Sequence, residues 1–224
     1  MLGIQIFGVP LSVSVRRALI ALKELSVPYE LLTVNFFEGQ QKLPENVQHH
    51  PFGEVPYIHD LDTGMTLFES RAIARYIVDK YDRERSSGLL PRDDDIVEKA
   101  LFEQAVSMEM TRFEPAAYAL TKELVFKPVY RKVANDEAEA AKGLAALSKV
   151  LNVYEGILSK QQYLAGDHVT LADLFHLPLG TALTDLGKSD VMTTDKRPNV
   201  QRWWNSIYSR PSWTAIKTDM FPLK

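Results

Sequence analysis

The residues best suited to chemistry lie in the segment Leu67-Phe68-Glu69-Ser70-Arg71-Ala72-Ile73. We expect a short apolar strand to end at Phe68 and a helix with one apolar face to begin at about Ser70. Free N–H groups at a helix N-terminus attract a carboxylate, and the Glu69 carboxylate suits an ammonium group. Such a site fits the α-amino-acid end of a ligand. A capped helix with an acidic first turn has the same pattern, so the segment alone leaves both interpretations open.

Two serines lie between an expected strand at Ile4–Phe7 and an expected helix from about Ser14. Ser14 is the expected N-cap of that helix. Ser12 lies further from the helix start, where its hydroxyl can face the crevice at the carboxyl end of the strand. No triad containing histidine is readable, so Ser12 is not expected to be a nucleophile. A hydroxyl can instead donate to a neighbouring thiolate and lower the pKa of the thiol.

The segment Glu54-Val55-Pro56 precedes another expected strand. A proline there leaves a strand edge, can be cis, and lets the backbone of Val55 pair with an extended peptide ligand. An edge proline without a ligand is the alternative. In the polar segment before it, Gln41 and Lys42 are candidates to bind a carboxylate, although an isolated surface lysine is more often only solvated.

Four apolar or aromatic residues are candidates for a pocket, by their position after strand ends or late on a long helix: Leu11, Phe36, Phe113 and Tyr118. Each alone is also consistent with ordinary core. The five histidines have no spacing that matches a metal site, so we expect solvated or locally hydrogen-bonded side chains and no metal.

The composition limits the classes of function. A formal net charge of −3 gives no reason to expect a nucleic-acid or membrane partner, and no apolar run has membrane-spanning length. The N-terminal residues lack the features of a signal peptide, which favours a cytoplasmic protein. The absence of Cys excludes disulfides and a cysteine nucleophile, so any sulfur chemistry needs a thiol that the ligand brings.

Two regions follow from the periodicity. Residues 1–82 alternate strand and helix in the order βαβ, a helical turn, then ββα. Residues 83–95 have the charged composition of a linker, and residues 96–224 are helical throughout. The chain is therefore predicted to be an α/β domain followed by an all-α domain.

Taken together, these segments resemble the cytosolic glutathione transferases, and within them the phi class. The resemblance spans essentially the whole chain and includes the Gly166-Asp167 to Asp173 segment and the Arg210-Pro211-Ser212-Trp213 segment. It implies a thioredoxin-like N-terminal domain, glutathione as co-substrate, an apolar electrophile as second substrate, a homodimer and a role in detoxification. Interface residues are expected on the N-terminal half of the first helix of the all-α domain, namely Ala100, Leu101 and Ala105.

The resemblance also implies roles for individual residues. Ser12 stabilises the glutathione thiolate, the backbone of Val55 beside Pro56 pairs with the cysteinyl unit, and Glu69 with Ser70 holds the γ-glutamyl end. Gln41 and Lys42 approach the glycine carboxylate. Phi members commonly carry His where this chain has Gln41 and Gln where it has Glu54. The acidic Glu54 adds a negative charge near an anionic tripeptide.

Three functions fit this sequence. The first is conjugation of glutathione to apolar electrophiles, with glutathione-dependent peroxide reduction as an additional activity. The second is a non-catalytic carrier of apolar ligands. The third is an interaction or regulatory module on the same fold, as in an elongation factor subunit, which the end of the chain at Lys224 disfavours. The presence of Ser12 favours the enzyme over the carrier.

Overall fold

The computed structural model describes residues 3–217, which form two compact units. The first unit contains residues 3–87 and 215–217, and the second contains residues 88–214. The division after Ser87 lies inside the expected linker, but residues 215–217 group with the first unit and not with the helical one. The ends of both predicted domains, residues 1–2 and 218–224, lie outside the described residues.

A mixed four-stranded sheet organises the first unit, in the order β2-β1-β3-β4. Its strands are β1 (Ile4–Phe7), β2 (Tyr29–Leu32), β3 (Tyr57–Asp60) and β4 (Met65–Phe68). β1 pairs in parallel with β2 and antiparallel with β3, and β4 is antiparallel to β3. The predicted thioredoxin-like arrangement is confirmed.

Three helices complete this unit: α1 (Val13–Glu24), α2 (Pro44–Val47) and α3 (Ser70–Tyr81). Two 3₁₀ turns, Phe36–Glu38 and Gln40–Lys42, precede α2. α1 and α3 pack together through apolar residues at helical spacing, since Val15 and Leu19 on one helix and Ile73 and Ile77 on the other are buried. One residue, Glu69, separates α3 from the end of β4, whereas the turn at residues 8–12 separates α1 from the end of β1.

The second unit is all-α, as predicted. Its helices are α4 (Ile96–Met108), α5 (Glu114–Thr121), α6 (Glu137–Leu158), α7 (Leu171–Leu174), α8 (Leu177–Thr181) and α9 (Pro198–Tyr208). The last helix, α10 (Pro211–Lys217), begins in this unit, and its residues 215–217 group with the first. π-helical turns occur at Glu109–Phe113, Lys122–Tyr130 and Ala182–Leu186. Within residues 3–217, no helix is long and apolar enough to cross a membrane.

A buried carboxylate lies at the centre of the helical unit. Thr170 and Asp173 form a capping box at the start of α7. The Asp173 carboxylate also accepts hydrogen bonds from the Trp203 indole and the Leu164 backbone, each at 2.9 Å. Burial raises the pKa of Asp173, and these hydrogen bonds act in the opposite direction. One side chain therefore connects α7, α9 and the segment before α7.

Candidate functional site

Ser12 is the N-cap of α1, and this corrects the expectation that Ser14 would cap the helix. α1 begins at Val13, which places Ser14 inside its first turn. The Ser12 Oγ accepts the N–H of Val15 at 3.4 Å, a distance longer than an ordinary hydrogen bond of this type. A hydroxyl that accepts keeps its own proton to donate, and the Ser12 side chain is half-buried. Ser12 therefore presents an O–H donor at the positive end of a helix.

Glycine is required at position 8, where the chain turns from β1 towards Ser12. Gly8 has φ +154°, and a Cβ at this position would lie 2.4 Å from Cγ2 of Val15 and 3.4 Å from Cβ of Val55. The close approach brings the Val55 segment against the turn that holds Ser12. Two predicted site segments, 54–56 and 10–12, are thus adjacent.

The Val55–Pro56 peptide bond is cis, and β3 begins immediately after it at Tyr57. The N–H and C=O of Val55 take part in no backbone hydrogen bond within residues 3–217. Val55 therefore has the exposed backbone polarity that pairing with an extended peptide requires. Glu54 is exposed beside it.

Glu69 has a backbone conformation that is unfavourable for its residue type. It occupies the position before α3 with φ +71° and ψ 107°, and its side chain makes no capping hydrogen bond. A non-glycine residue in such a conformation costs roughly 1–3 kcal/mol, and residues of this kind concentrate at functional sites. The first turn of α3 consequently has N–H groups that no cap residue satisfies.

Ser70 follows Glu69 and is buried, with 5% of its surface exposed. Its Oγ accepts a hydrogen bond from Nη1 of Arg17 at 3.1 Å, which ties the start of α3 to α1. Because Ser70 accepts from Arg17, its own O–H is available to donate. Sequence reasoning did not assign this supporting role to Arg17.

Lys42 is held against the turn after α2. Its Nζ donates to the carbonyl of Phe52 at 2.9 Å, and its side chain lies over Gly53, where a Cβ would come within 2.7 Å of Lys42 Cδ. Gln41 lies next to it, and its Oε1 is buried without a hydrogen-bond partner among the described residues. The ammonium and the side-chain amide can both donate to a carboxylate.

His50 departs from the expectation of solvated or locally hydrogen-bonded histidines. Only 3% of its surface is exposed, and its ring centroid lies 4.8 Å from that of Phe68. Burial lowers the pKa of His50, the charges of Glu54 and Glu69 raise it, and that of Lys42 lowers it. No motif in the sequence predicts the burial of His50, because this burial depends on the path of the chain between α2 and β3.

The pocket candidates have unequal surroundings. Leu11 and Phe36 are half-buried in the first unit, and Tyr118 is half-exposed in the second, with its ring centroid 5.5 Å from that of Phe126. Phe113 is fully buried and packs 4.3 Å from the His176 ring. Because a side chain without accessible surface cannot line an open pocket, Phe113 contributes to the core of the helical unit.

Metal chemistry receives no support from the described side chains. Within residues 3–217, no three His, Asp or Glu residues are grouped so as to hold a metal ion. The polar side chains described above for the first unit are mainly hydrogen-bond donors, which suit an anionic ligand. Glu69, beside the N-terminus of α3, is acidic.

Comparison with known proteins gives consistent matches over both units. The sequence matches the family model "Glutathione S-transferase, N-terminal domain" over residues 3–79 and "Glutathione S-transferase, C-terminal domain" over residues 110–211. Glutathione S-transferase F10 of Arabidopsis thaliana is 40% identical over 208 residues, or 92% of this chain and 93% of that protein.

Two solved structures are similar along nearly their whole length. Glutathione transferase F2 from Populus trichocarpa has a TM-score of 0.88 and 36% identity, covering 97% of this chain and 98% of that one. Glutathione S-transferase I from maize, in complex with an atrazine glutathione conjugate, has a TM-score of 0.88 and 31% identity, covering 99% of this chain and all (100%) of that one.

Proposed function

The chain belongs to the glutathione S-transferase family, within its phi class, and we propose that it conjugates the thiolate of glutathione to apolar electrophiles. The observation that carries the proposal is the donor hydroxyl of Ser12 at the N-terminus of α1, next to the unpaired backbone of Val55. A peptide paired with Val55 would bring its central side chain to that turn. For glutathione this side chain carries the thiol.

In the proposed reaction, Ser12 acts on the thiol and not on the electrophile. A thiol of the cysteine type has a pKa of roughly 8.5, so only a few per cent is thiolate at neutral pH. The Ser12 O–H would donate to the sulfur in its charged form, and the positive end of α1 would stabilise the same charge. The thiol releases its proton to solvent, and the thiolate attacks the electrophilic carbon, so that a C–S bond forms as the bond from that carbon to the leaving group breaks.

The two ends of glutathione have different proposed partners. The carboxylate of the γ-glutamyl group would accept from the first turn of α3 and from Ser70, with its ammonium group beside Glu69. The glycine carboxylate would accept from Lys42 and Gln41. These charged and polar contacts at the two ends of the tripeptide would then fix its orientation.

Leu11 and Phe36 of the first unit are proposed to contact the electrophile, and so, considered by itself, is Tyr118 of the second unit, because all three side chains retain accessible surface. Phe113 is not included because it is completely buried. Replacing Tyr118 with Ala should change the relative rates for electrophiles of different size, while the affinity for glutathione stays the same. Equal loss of rate for every electrophile would count against this lining.

The protein is also proposed to be a cytoplasmic homodimer. The first half of α4 carries exposed apolar side chains, including Ile96 at 80%, Val97 at 64% and Leu101 at 42%, and Ala100 is exposed beside them. Ala105 is buried within the protomer and is not available to a partner. Sedimentation equilibrium should give twice the protomer mass, and Leu101→Glu should shift the equilibrium towards monomer.

Immunofluorescence with fractionation tests the cytoplasmic location.

The activity is tested by a spectrophotometric assay with glutathione and chlorodinitrobenzene. The proposal predicts product formation that saturates with both substrates and falls sharply in Ser12→Ala. Tight binding of apolar dyes with no product from any electrophile would support the carrier instead. Absence of glutathione binding by calorimetry would contradict both the enzyme and the roles given to Ser70 and Lys42.

A further inference from the structure

The turn that follows α2 contains a buried imidazole at its first position. His50 has its N–H bonded to the carbonyl of Asn46 at 2.9 Å, and its carbonyl accepts the N–H of Gly53 at 2.7 Å. Only 3% of the residue's surface is exposed, and its Nδ1 has no hydrogen-bond partner among the described residues. Both the backbone and the side chain of His50 are therefore fixed by the fold.

The His50 ring contacts the two segments that carry opposite ends of the proposed glutathione site. Its centroid lies 4.8 Å from that of Phe68 and 6.2 Å from that of Phe52. Phe68 directly precedes Glu69 in the chain. The Phe52 carbonyl binds the Nζ of Lys42. One side chain thus lies between the glutamyl-binding turn and the lysine proposed for the glycine carboxylate.

The charged groups that act on His50 come from the same two segments. Glu54 and Glu69 attract a proton to the imidazole, whereas burial and Lys42 oppose it. Because the net effect is a pKa below the ordinary 6.5, the ring is uncharged at neutral pH. The uncharged ring therefore lies near the carboxylates of Glu54 and Glu69 and the ammonium of Lys42, and it adds no charge of its own that would compete with the ligand.

We propose that His50 is a positioning residue that holds the two ends of the glutathione site at a fixed separation. This inference rests on the proposed function. A ligand that binds at both ends gains affinity, because its second contact forms when the molecule is already held by the first. The size of this gain in affinity depends on the spacing between the two contacts. Without the ring, the Phe52 turn and the Glu69 turn can shift relative to one another, so the two ends bind nearly independently.

The proposal makes a prediction that a purely structural role would not make. Glutathione and γ-glutamylcysteine share the glutamyl end and the thiol, but only glutathione has the glycine carboxylate. The ratio of their affinities therefore measures how well the two ends are coupled. Loss of His50 should reduce this ratio, whereas a general loss of stability would leave it unchanged.

Calorimetry of both ligands on the full chain tests the inference. Wild type should bind glutathione roughly tenfold more tightly than γ-glutamylcysteine, the scale of one charge-assisted contact. His50→Ala should reduce that ratio to about twofold or less, with kcat at saturating glutathione changed much less than KM. His50→Phe, which keeps a flat ring against Phe68, should restore most of the ratio. Should His50→Ala fail to fold, His50→Leu gives the same comparison with the side-chain volume kept.

The neighbouring histidine provides a matched control. The His49 ring packs on Tyr57 and His59 and not on Phe68, so His49→Ala should leave the ratio at the wild-type value. An unchanged ratio in a folded His50→Ala or His50→Leu variant would overturn the inference and leave the proposed function standing. A Phe variant as impaired as Ala would overturn the packing argument. If wild type binds no glutathione, the proposed function fails and the inference fails with it.

Discussion

The helices α3 and α9 begin in the same way but have different partners. Neither has a capping hydrogen bond from its own N-cap side chain, Glu69 in α3 and Arg197 in α9. In α9 the Glu155 carboxylate, from α6, accepts the N–H of Asn199 at 3.0 Å and of Val200 at 2.9 Å. In α3 the carboxylate at the N-cap, that of Glu69, accepts no N–H of the first turn.

Other helices of the second unit also have carboxylates at their N-termini. Asp95 accepts two N–H groups of α4, Asp136 accepts two of α6, and Asp173 completes the capping box of α7. In the first unit, α1 has only the 3.4 Å bond to Ser12. The helical unit satisfies the starts of α4, α6 and α9 with its own carboxylates. In the first unit neither the Ser12 hydroxyl of α1 nor the Glu69 side chain of α3 caps its helix in this way, and we propose that the charged groups of a ligand bind there.

The largest effect is expected on the stability of the protein, from the replacement of the buried Asp173. Asp173→Ala would leave the indole N–H of Trp203 and the backbone N–H groups of Leu164 and Thr170 buried without an acceptor. At roughly 1–3 kcal/mol for each unsatisfied group, we expect a loss of at least about 3 kcal/mol in the free energy of unfolding. Denaturant titration measures it. Asp95→Ala, at an exposed cap, is the control and should cost only about 1 kcal/mol.

The second-largest effect is expected on turnover, from the replacement of Ser12, the N-cap of α1. A hydrogen bond to a charged group is worth roughly 1.5–3 kcal/mol, so Ser12→Ala should lower turnover by about one to two orders of magnitude near pH 7. The loss should decrease as the pH rises through the pKa of the thiol, because the thiol then ionises without help. Ser12→Thr should recover activity and Ser14→Ala should retain it. Full activity in Ser12→Ala with an unchanged pH profile would show that Ser12 is not the donor.

Glu155 tests the capping of α9 from a neighbouring helix. Glu155→Ala should reduce the free energy of unfolding by about 1–2 kcal/mol, because the first turn of α9 loses its acceptor. Burial alone would raise the pKa of Glu155, but hydrogen bonds from Val200 and Asn199 lower it below its ordinary 4.5. The stabilisation should therefore be complete above about pH 4.5 and be lost as the pH falls below that value. A loss in Glu155→Ala that does not diminish as the pH falls below 4.5 would contradict this assignment.

The smallest effect is expected at Glu54. Glu54→Gln removes an exposed negative charge beside the Val55 segment, and glutathione is an anion at neutral pH. The affinity should increase by no more than about 1 kcal/mol. Calorimetry at low and high salt measures it, since the gain should decrease as salt screens the charge. An unchanged affinity at low salt would show that Glu54 does not act on the ligand.

Much of the fold could be predicted because its strands and caps are local signals. β1 has the expected boundaries, β4 ends at Phe68 and α3 begins at Ser70 as expected. The N-cap of α1 is Ser12 and not Ser14, because serine occupies both positions and either can cap a helix.

Two features of the candidate site could not be derived from periodicity. The burial of His50 and of Phe113 depends on which segments pack around them. Spacing along the chain predicts which face of an element is apolar, but not which element packs against that face. The positive φ of Glu69 is likewise set by the joining of β4 to α3 and not by its residue type. Sequence patterns therefore identified the segments of the site more reliably than the surroundings of its side chains.

The central claim is that the first unit leaves the start of α1 and Ser12 to stabilise a bound thiolate. The most direct test is the pKa of the thiol of bound glutathione, followed by thiolate absorbance across a pH titration of wild type and Ser12→Ala. We expect the wild-type complex to have a thiol pKa about one to two units below the free value of roughly 8.5, and the Ser12→Ala complex to approach the free value. The same pKa in both complexes would contradict the claim.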